Sequence, residues 1–272
     1  MNNTFNINRF GLLLRRQWLD FGKIYLLSLI VIFGVLIGFY AFNIPKAQDG
    51  LPPMDLNYVS LRFRYPIFGI VGFLFISIVA SSYFSNLGQK SKAIIDLMTP
   101  SSTFEKFLAG VFYTAILSVA SYLFIFYITD FAFCKYIDSS FSTFPYDASL
   151  TFMGKITHIH GIHAQLLNDE MDFEEYRGFS FLPFLVTSIF LLGSVYFNRF
   201  HYIKTAVSVV ISVAIIMYIV YLSVSKIGEN MVQITDSQNN EKIAFTIIFV
   251  SSVILCLFFW VITYVRLKEK EV

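Results

Sequence analysis

Apolar and polar positions along the chain fall into long blocks and do not alternate. Six stretches, residues 24–42, 66–84, 107–128, 179–197, 205–225 and 243–265, contain no Asp, Glu, Lys, Arg or His. Each is about the 20 residues that a helix needs to cross a hydrocarbon layer of about 30 Å while satisfying its own backbone hydrogen bonds. The pattern therefore predicts an all-α, polytopic membrane protein with six transmembrane helices, folded as a single transmembrane domain over 1–272. An even number of spans puts both termini on one face. The first stretch is expected to be retained rather than cleaved, since 23 residues precede it and no small-x-small cleavage site stands before Ile44.

The segments between the spans carry patterns of their own. Residues 5–23 place Phe10, Leu13, Leu14, Trp18 and Phe21 on one helical face and Arg9, Arg16, Asp20 and Lys23 on another. Such a helix is expected to lie in the headgroup layer ahead of the first span, either to position that span or to transmit force. In loop 85–106, residues 92–98 (KAIIDLM) read as a short amphipathic helix broken at Thr99-Pro100. Ser102 followed by Glu105 then reads as a capping box that starts a helix leading into the third span. The short helix can act as a lever pushed by a cytosolic partner, or simply pack against neighbouring spans.

Composition agrees with the pattern. Hydrophobic residues make up 56% of the chain, charged residues only 14%, and the mean hydropathy is +0.66, where soluble domains carry about 25% charged residues. With 20 Lys and Arg against 18 Asp and Glu, the net charge is +2, so no basic excess suits a nucleic-acid partner. Lys and Arg divide 12 to 8 in favour of the side bearing the termini, which makes the termini cytoplasmic. Trp18, Trp260 and Tyr264 then fall at the inner interface as aromatic anchors. Two cysteines, Cys134 and Cys256, make no disulfide framework.

Candidate chemistry is sparse. The long loop 131–178 is expected on the outer face and holds His158, His160 and His163, three of the four histidines. Imidazoles at that density can bind zinc or copper, but no cysteine completes a set, and a hydrated loop explains them as well. No charge lies inside the spans, which argues against proton- or sodium-coupled transport. The chain has no G-x-x-x-x-G-K-[ST], G-x-S-x-G or H-E-x-x-H, so neither ATP hydrolysis nor enzyme activity is expected of it, and no cofactor is expected in it. The spans do carry small and hydroxylic residues: Gly34 and Gly38 in the first, Ser77 and Ser81 in the second, Thr114, Ser118 and Ser121 in the third, Thr205, Ser208 and Ser212 in the fifth. These are candidates for subunit packing through interhelical hydrogen bonds, or for lining a weakly polar path.

This order of parts resembles the membrane subunit, or permease, of type 2 export-class bacterial ATP-binding cassette transporters. The most specific stretch is 94–107, IIDLMTPSSTFEKF, with a weaker match at 196–205, YFNRFHYIKT, and a charged end at 264–271. The resemblance implies a bacterial cytoplasmic-membrane protein that pairs with a second copy or a sister permease to export a substrate. It also implies a cytosolic P-loop ATPase partner holding ATP and magnesium. Lys92, Ala93, Ile94, Ile95, Asp96, Leu97 and Met98 would form the ATPase-coupling helix, with 5–21 as a connecting helix. The chain departs from the commonest members in its long loop 131–178 and in the polar 226–242, where no apolar hairpin stands. Two other readings remain open from the residues: a non-transporting membrane scaffold, such as a self-protection or sensor-partner protein, that binds an extracellular ligand through 131–178, and a membrane enzyme with zinc on its loop histidines.

Overall fold

The computed structural model describes residues 5–43, 64–85, 98, 101–141, 180–228 and 238–271, and among these there are helices and turns but no strands. The helices are α1 (Ile7–Phe42), α2 (Arg64–Tyr83), α3 (Thr103–Val111), α4 (Ser118–Phe141), α5 (Leu182–Tyr196), α6 (His201–Gly228) and α7 (Gln238–Glu271), with a π-helical turn (Phe112–Leu117) joining α3 to α4. Five helical stretches are long and apolar enough to cross a membrane: Ile7–Phe42, Pro66–Tyr83, Thr103–Tyr136, His201–Ser223 and Phe245–Lys270.

Three features differ from the pattern read along the chain. The helix over 5–23 and the first apolar stretch are one unbroken helix of 36 residues, about 54 Å long at 1.5 Å per residue. No proline or cap interrupts it, and Gly22 alone does not stop a helix flanked by good helix formers. The fourth apolar stretch forms a helix of 15 residues, about 22 Å, because Pro183 sits in its first turn and Phe197 leaves helical geometry. The third stretch is not uniformly α-helical, since the π turn falls inside it.

The chain divides into two compact units. The first comprises Met1–Gly22, Ile76–Val119 and Asp172–Val272; the second comprises Lys23–Phe75 and Ala120–Met171. In the first unit α7 packs most extensively on α5, which also packs on α6 and on the π turn, while α7 meets α3. Its core holds Phe84, Val111, Ala115, Leu191, Val195 and Leu267, with Tyr83, Phe107, Phe184 and Trp260 around them. Gly193 permits the approach of α5 to α6: a Cβ there would run into Thr205 Oγ1. The four-residue link between these helices turns through Phe200, at φ 53°, and the Lys204 N–H returns to the Phe200 carbonyl at 3.0 Å.

In the second unit aromatic rings do most of the packing. Tyr122 lies over Gly72, where a Cβ would meet its ring at 2.6 Å, and donates its hydroxyl to the Phe68 carbonyl at 2.7 Å. Phe68 and Tyr122 both pack on Phe126, and Tyr40 meets Phe133 edge-on at 4.6 Å. Tyr25 and Ser121 join α1 to α4 by a hydroxyl–hydroxyl hydrogen bond.

Candidate functional site

The Ser102–Glu105 motif forms the cap that its spacing predicts. Ser102 Oγ accepts from the Glu105 N–H at 3.2 Å, and Glu105 Oε2 accepts from the Ser102 N–H at 3.0 Å. The same carboxylate does more than cap its own helix. Glu105 is fully buried and accepts from Arg9 Nε at 2.8 Å, from the second Arg9 nitrogen at 2.7 Å and from the Asn6 N–H at 3.0 Å. Burial alone would raise the Glu105 carboxyl, but the donors from Arg9, Asn6 and Ser102 outweigh it and hold the group at about 2. It stands ahead of the apolar run 107–128, at the polar end of α3. One carboxylate thus fastens the start of α1 to the start of the helix that leads into the third apolar stretch.

Around this ion pair the first turns of α1 pack on protein. Phe5 packs on Phe104, Trp18 stacks on Tyr113, Phe21 meets Tyr83 edge-on, and the Tyr113 hydroxyl donates to the Leu14 carbonyl at 2.8 Å. Tyr83 also donates to Gln17. The face that the sequence assigns to lipid is therefore partly occupied by side chains of α2, α3 and the π turn. Trp18 keeps 38% of its surface exposed.

The hydroxylic positions sort into two groups. Thr114, Ser118, Thr205, Ser208 and Ser212 each donate to the carbonyl four residues back in their own helix. That geometry satisfies a hydroxyl in an apolar setting without a partner helix. Ser77, Ser81 and Ser121 instead bond across helices: Ser81 Oγ to His201 Nδ1 at 3.1 Å, Ser77 to the Tyr202 hydroxyl at 3.5 Å, and Ser121 to Tyr25. Ser208 and Ser212 are exposed, whereas Thr114, Ser118 and Thr205 are buried. A Cβ added at Gly34 or Gly38 meets nothing within 4 Å, so the G-x-x-x-G face of α1 is open among the described residues.

Sequence inspection misses a second cluster of charge, in the second unit. Arg64 is fully buried at the start of α2 and donates to Asp130 Oδ1 at 3.2 Å and to Cys134 Sγ at 3.0 Å. The Tyr40 hydroxyl donates to the same Asp130 oxygen at 2.8 Å. Arg64 stands two residues before one apolar stretch and Asp130 two residues after another, so in the sequence each belongs to a loop. The available signal was that opposite charges flank two neighbouring apolar runs at the same predicted face.

Of the proposed coupling residues, Lys92, Ala93, Ile94, Ile95, Asp96 and Leu97 lie outside the described residues, while Met98 is described and 79% exposed. His158, His160 and His163 also lie outside them. Among the described residues no three His, Cys, Asp or Glu side chains gather to hold a metal. Comparison of the chain with protein-family models, with curated proteins and with solved structures returns no match.

Proposed function

We propose that this chain is the membrane-embedded permease of an ATP-driven exporter, working with a separate cytosolic P-loop ATPase and a second permease copy or sister chain. The observation that supports this most directly is the Glu105 junction. A force applied to loop 85–101 reaches Ser102 and Glu105, and through them both the start of α1 and the helix entering the third apolar stretch. An ATPase pressing on residues 92–98 would move those helices together. The buried charge-assisted hydrogen bonds are suited to carrying that load, because separating them exposes an uncompensated carboxylate.

In this reading α5 is a sixth crossing, with both termini on the cytoplasmic side of a bacterial inner membrane. A helix of 15 residues is short for the layer, and packing against α6 and α7 helps a short helix accommodate such a mismatch. The exposed apolar side chains along α6, from Val207 to Leu222, face lipid or the second permease.

The test is affinity purification of the tagged chain from its native cells in gentle detergent, with assay of vanadate-sensitive ATP hydrolysis. A co-purifying P-loop ATPase that is lost in Ile95→Asp is the expected result. A chain that purifies alone, without hydrolysis, overturns the proposal and gives the lead to a scaffold that binds a ligand through 131–178. Retained pairing in Ile95→Asp removes residues 92–98 from the coupling role.

A further inference from the structure

We propose that the α5–α6 turn and the last turns of α7 together form a binding surface for the headgroup of an anionic phospholipid. These segments lie far apart in sequence, yet side-chain contacts join them in the first unit. Lys270 Nζ donates to Asn198 Oδ1 at 3.2 Å, and the Arg266 guanidinium lies over the Tyr196 ring at 5.3 Å. Lys204 stands over Phe197 at 5.6 Å, on the same turn. Five cations, Arg199, Lys204, Arg266, Lys268 and Lys270, are thus gathered on two short segments. Among the described side chains of 196–204 and 264–270 the one acid is Glu269, which Arg266 already holds at 2.7 Å. Arg199, Lys204 and Lys268 are exposed.

Their level relative to the apolar runs identifies the partner as lipid. The apolar run that holds α5 ends at Phe197, that of α6 begins at Thr205 and that of α7 ends at Val265. Every one of these cations therefore sits within a few residues of the hydrocarbon boundary, where phosphodiester headgroups lie. Phe200, 72% exposed at the tip of the turn beside Arg199, adds the aromatic that interfacial surfaces carry. The inference rests on α6 and α7 crossing a bilayer and is independent of any ATPase partner.

The experiment uses the full chain in mild detergent, supplied with equal amounts of phosphatidylglycerol and phosphatidylcholine, and counts lipids retained per chain by native mass spectrometry. The expected result is a preference of roughly tenfold for phosphatidylglycerol, the direction that clustered cations at an anionic headgroup layer give. It should approach parity in the triple variant Arg199→Gln, Lys204→Gln, Lys268→Gln, which spares the cations that make side-chain contacts with Asn198 and Tyr196. The charge-matched variant Arg15→Gln, Arg16→Gln, Lys23→Gln should keep the preference; an equal loss there means net charge alone is responsible and overturns the proposal.

Should the triple variant fail to fold, the unmodified chain decides. Its preference should collapse between about 0.05 and about 0.5 M salt, and a preference that survives overturns the proposal. Displacement of the lipid by millimolar inorganic phosphate overturns it in favour of a free-anion site. An acidic protein that co-purifies with the wild type and is lost from the triple variant, with no lipid effect, assigns the surface to protein instead.

Discussion

Two buried carboxylates carry most of the specific chemistry at the level of single residues. Glu105 is satisfied by Arg9, Asn6 and Ser102, so Glu105→Ala orphans two backbone donors and should cost about 2 kcal/mol, read as a lower unfolding temperature in detergent. Because the folded group is held at about 2 against an ordinary 4.5, its contribution is complete above about pH 4.5. It is lost as pH falls through about 2. The gap in unfolding temperature between wild type and Glu105→Gln should therefore close across that window, and a gap independent of pH there contradicts the depressed value. At Arg64 and Asp130 removal of one partner strands a buried charge. Arg64→Met should cost about 3–5 kcal/mol, whereas Arg64→Met with Asp130→Leu should recover much of it, a non-additivity that a double-mutant cycle measures. The Ser102–Glu105 half of this chemistry is legible in four consecutive residues. Its Arg9 partner is 96 positions away, and no local pattern points to it.

At the scale of elements, close approach at small residues decides which helices meet. A Cβ at Gly193 would run into the Thr205 side chain, so Gly193→Ala should overpack the α5–α6 contact by about 1–3 kcal/mol. Thr205→Ala removes the two nearest atoms and should restore part of the loss when combined with it; an unchanged unfolding temperature in Gly193→Ala would mean the helices shift apart freely. At the i, i+4 pair Gly34 and Gly38 nothing among the described residues fills the space above the glycines, which leaves that face of α1 uncovered. Most of the hydroxyls singled out bond within their own helix. Apolar length predicted where helices lie. It predicted neither the fusion of 5–23 with the first span, which needs only the absence of a breaker, nor the π turn at 112–117, which depends on hydrogen-bond register inside an apolar run.

On the scale of the whole molecule, the balance of Lys and Arg predicts that loop 85–106 is cytoplasmic and 131–178 external. Ser149→Cys should react with a membrane-impermeant thiol reagent on intact cells, and Ser91→Cys only after lysis. The native thiols, Cys134 and Cys256, are buried and give little background; labelling in the reverse order would invert the topology. The amino-acid pattern alone was enough to predict helices long and apolar enough to cross a membrane, which the described residues form, because backbone satisfaction in lipid leaves so few solutions that length and hydropathy suffice. It also determined the cap at Ser102, since a capping box closes within four residues. Packing of the helices is what closes Arg9 on Glu105, buries Arg64 against Asp130, and joins the α5–α6 turn to the end of α7 through Lys270–Asn198 and Arg266–Tyr196. Each of these joins groups distant in the chain, and which of many possible partners a charged group meets is fixed by how the helices pack.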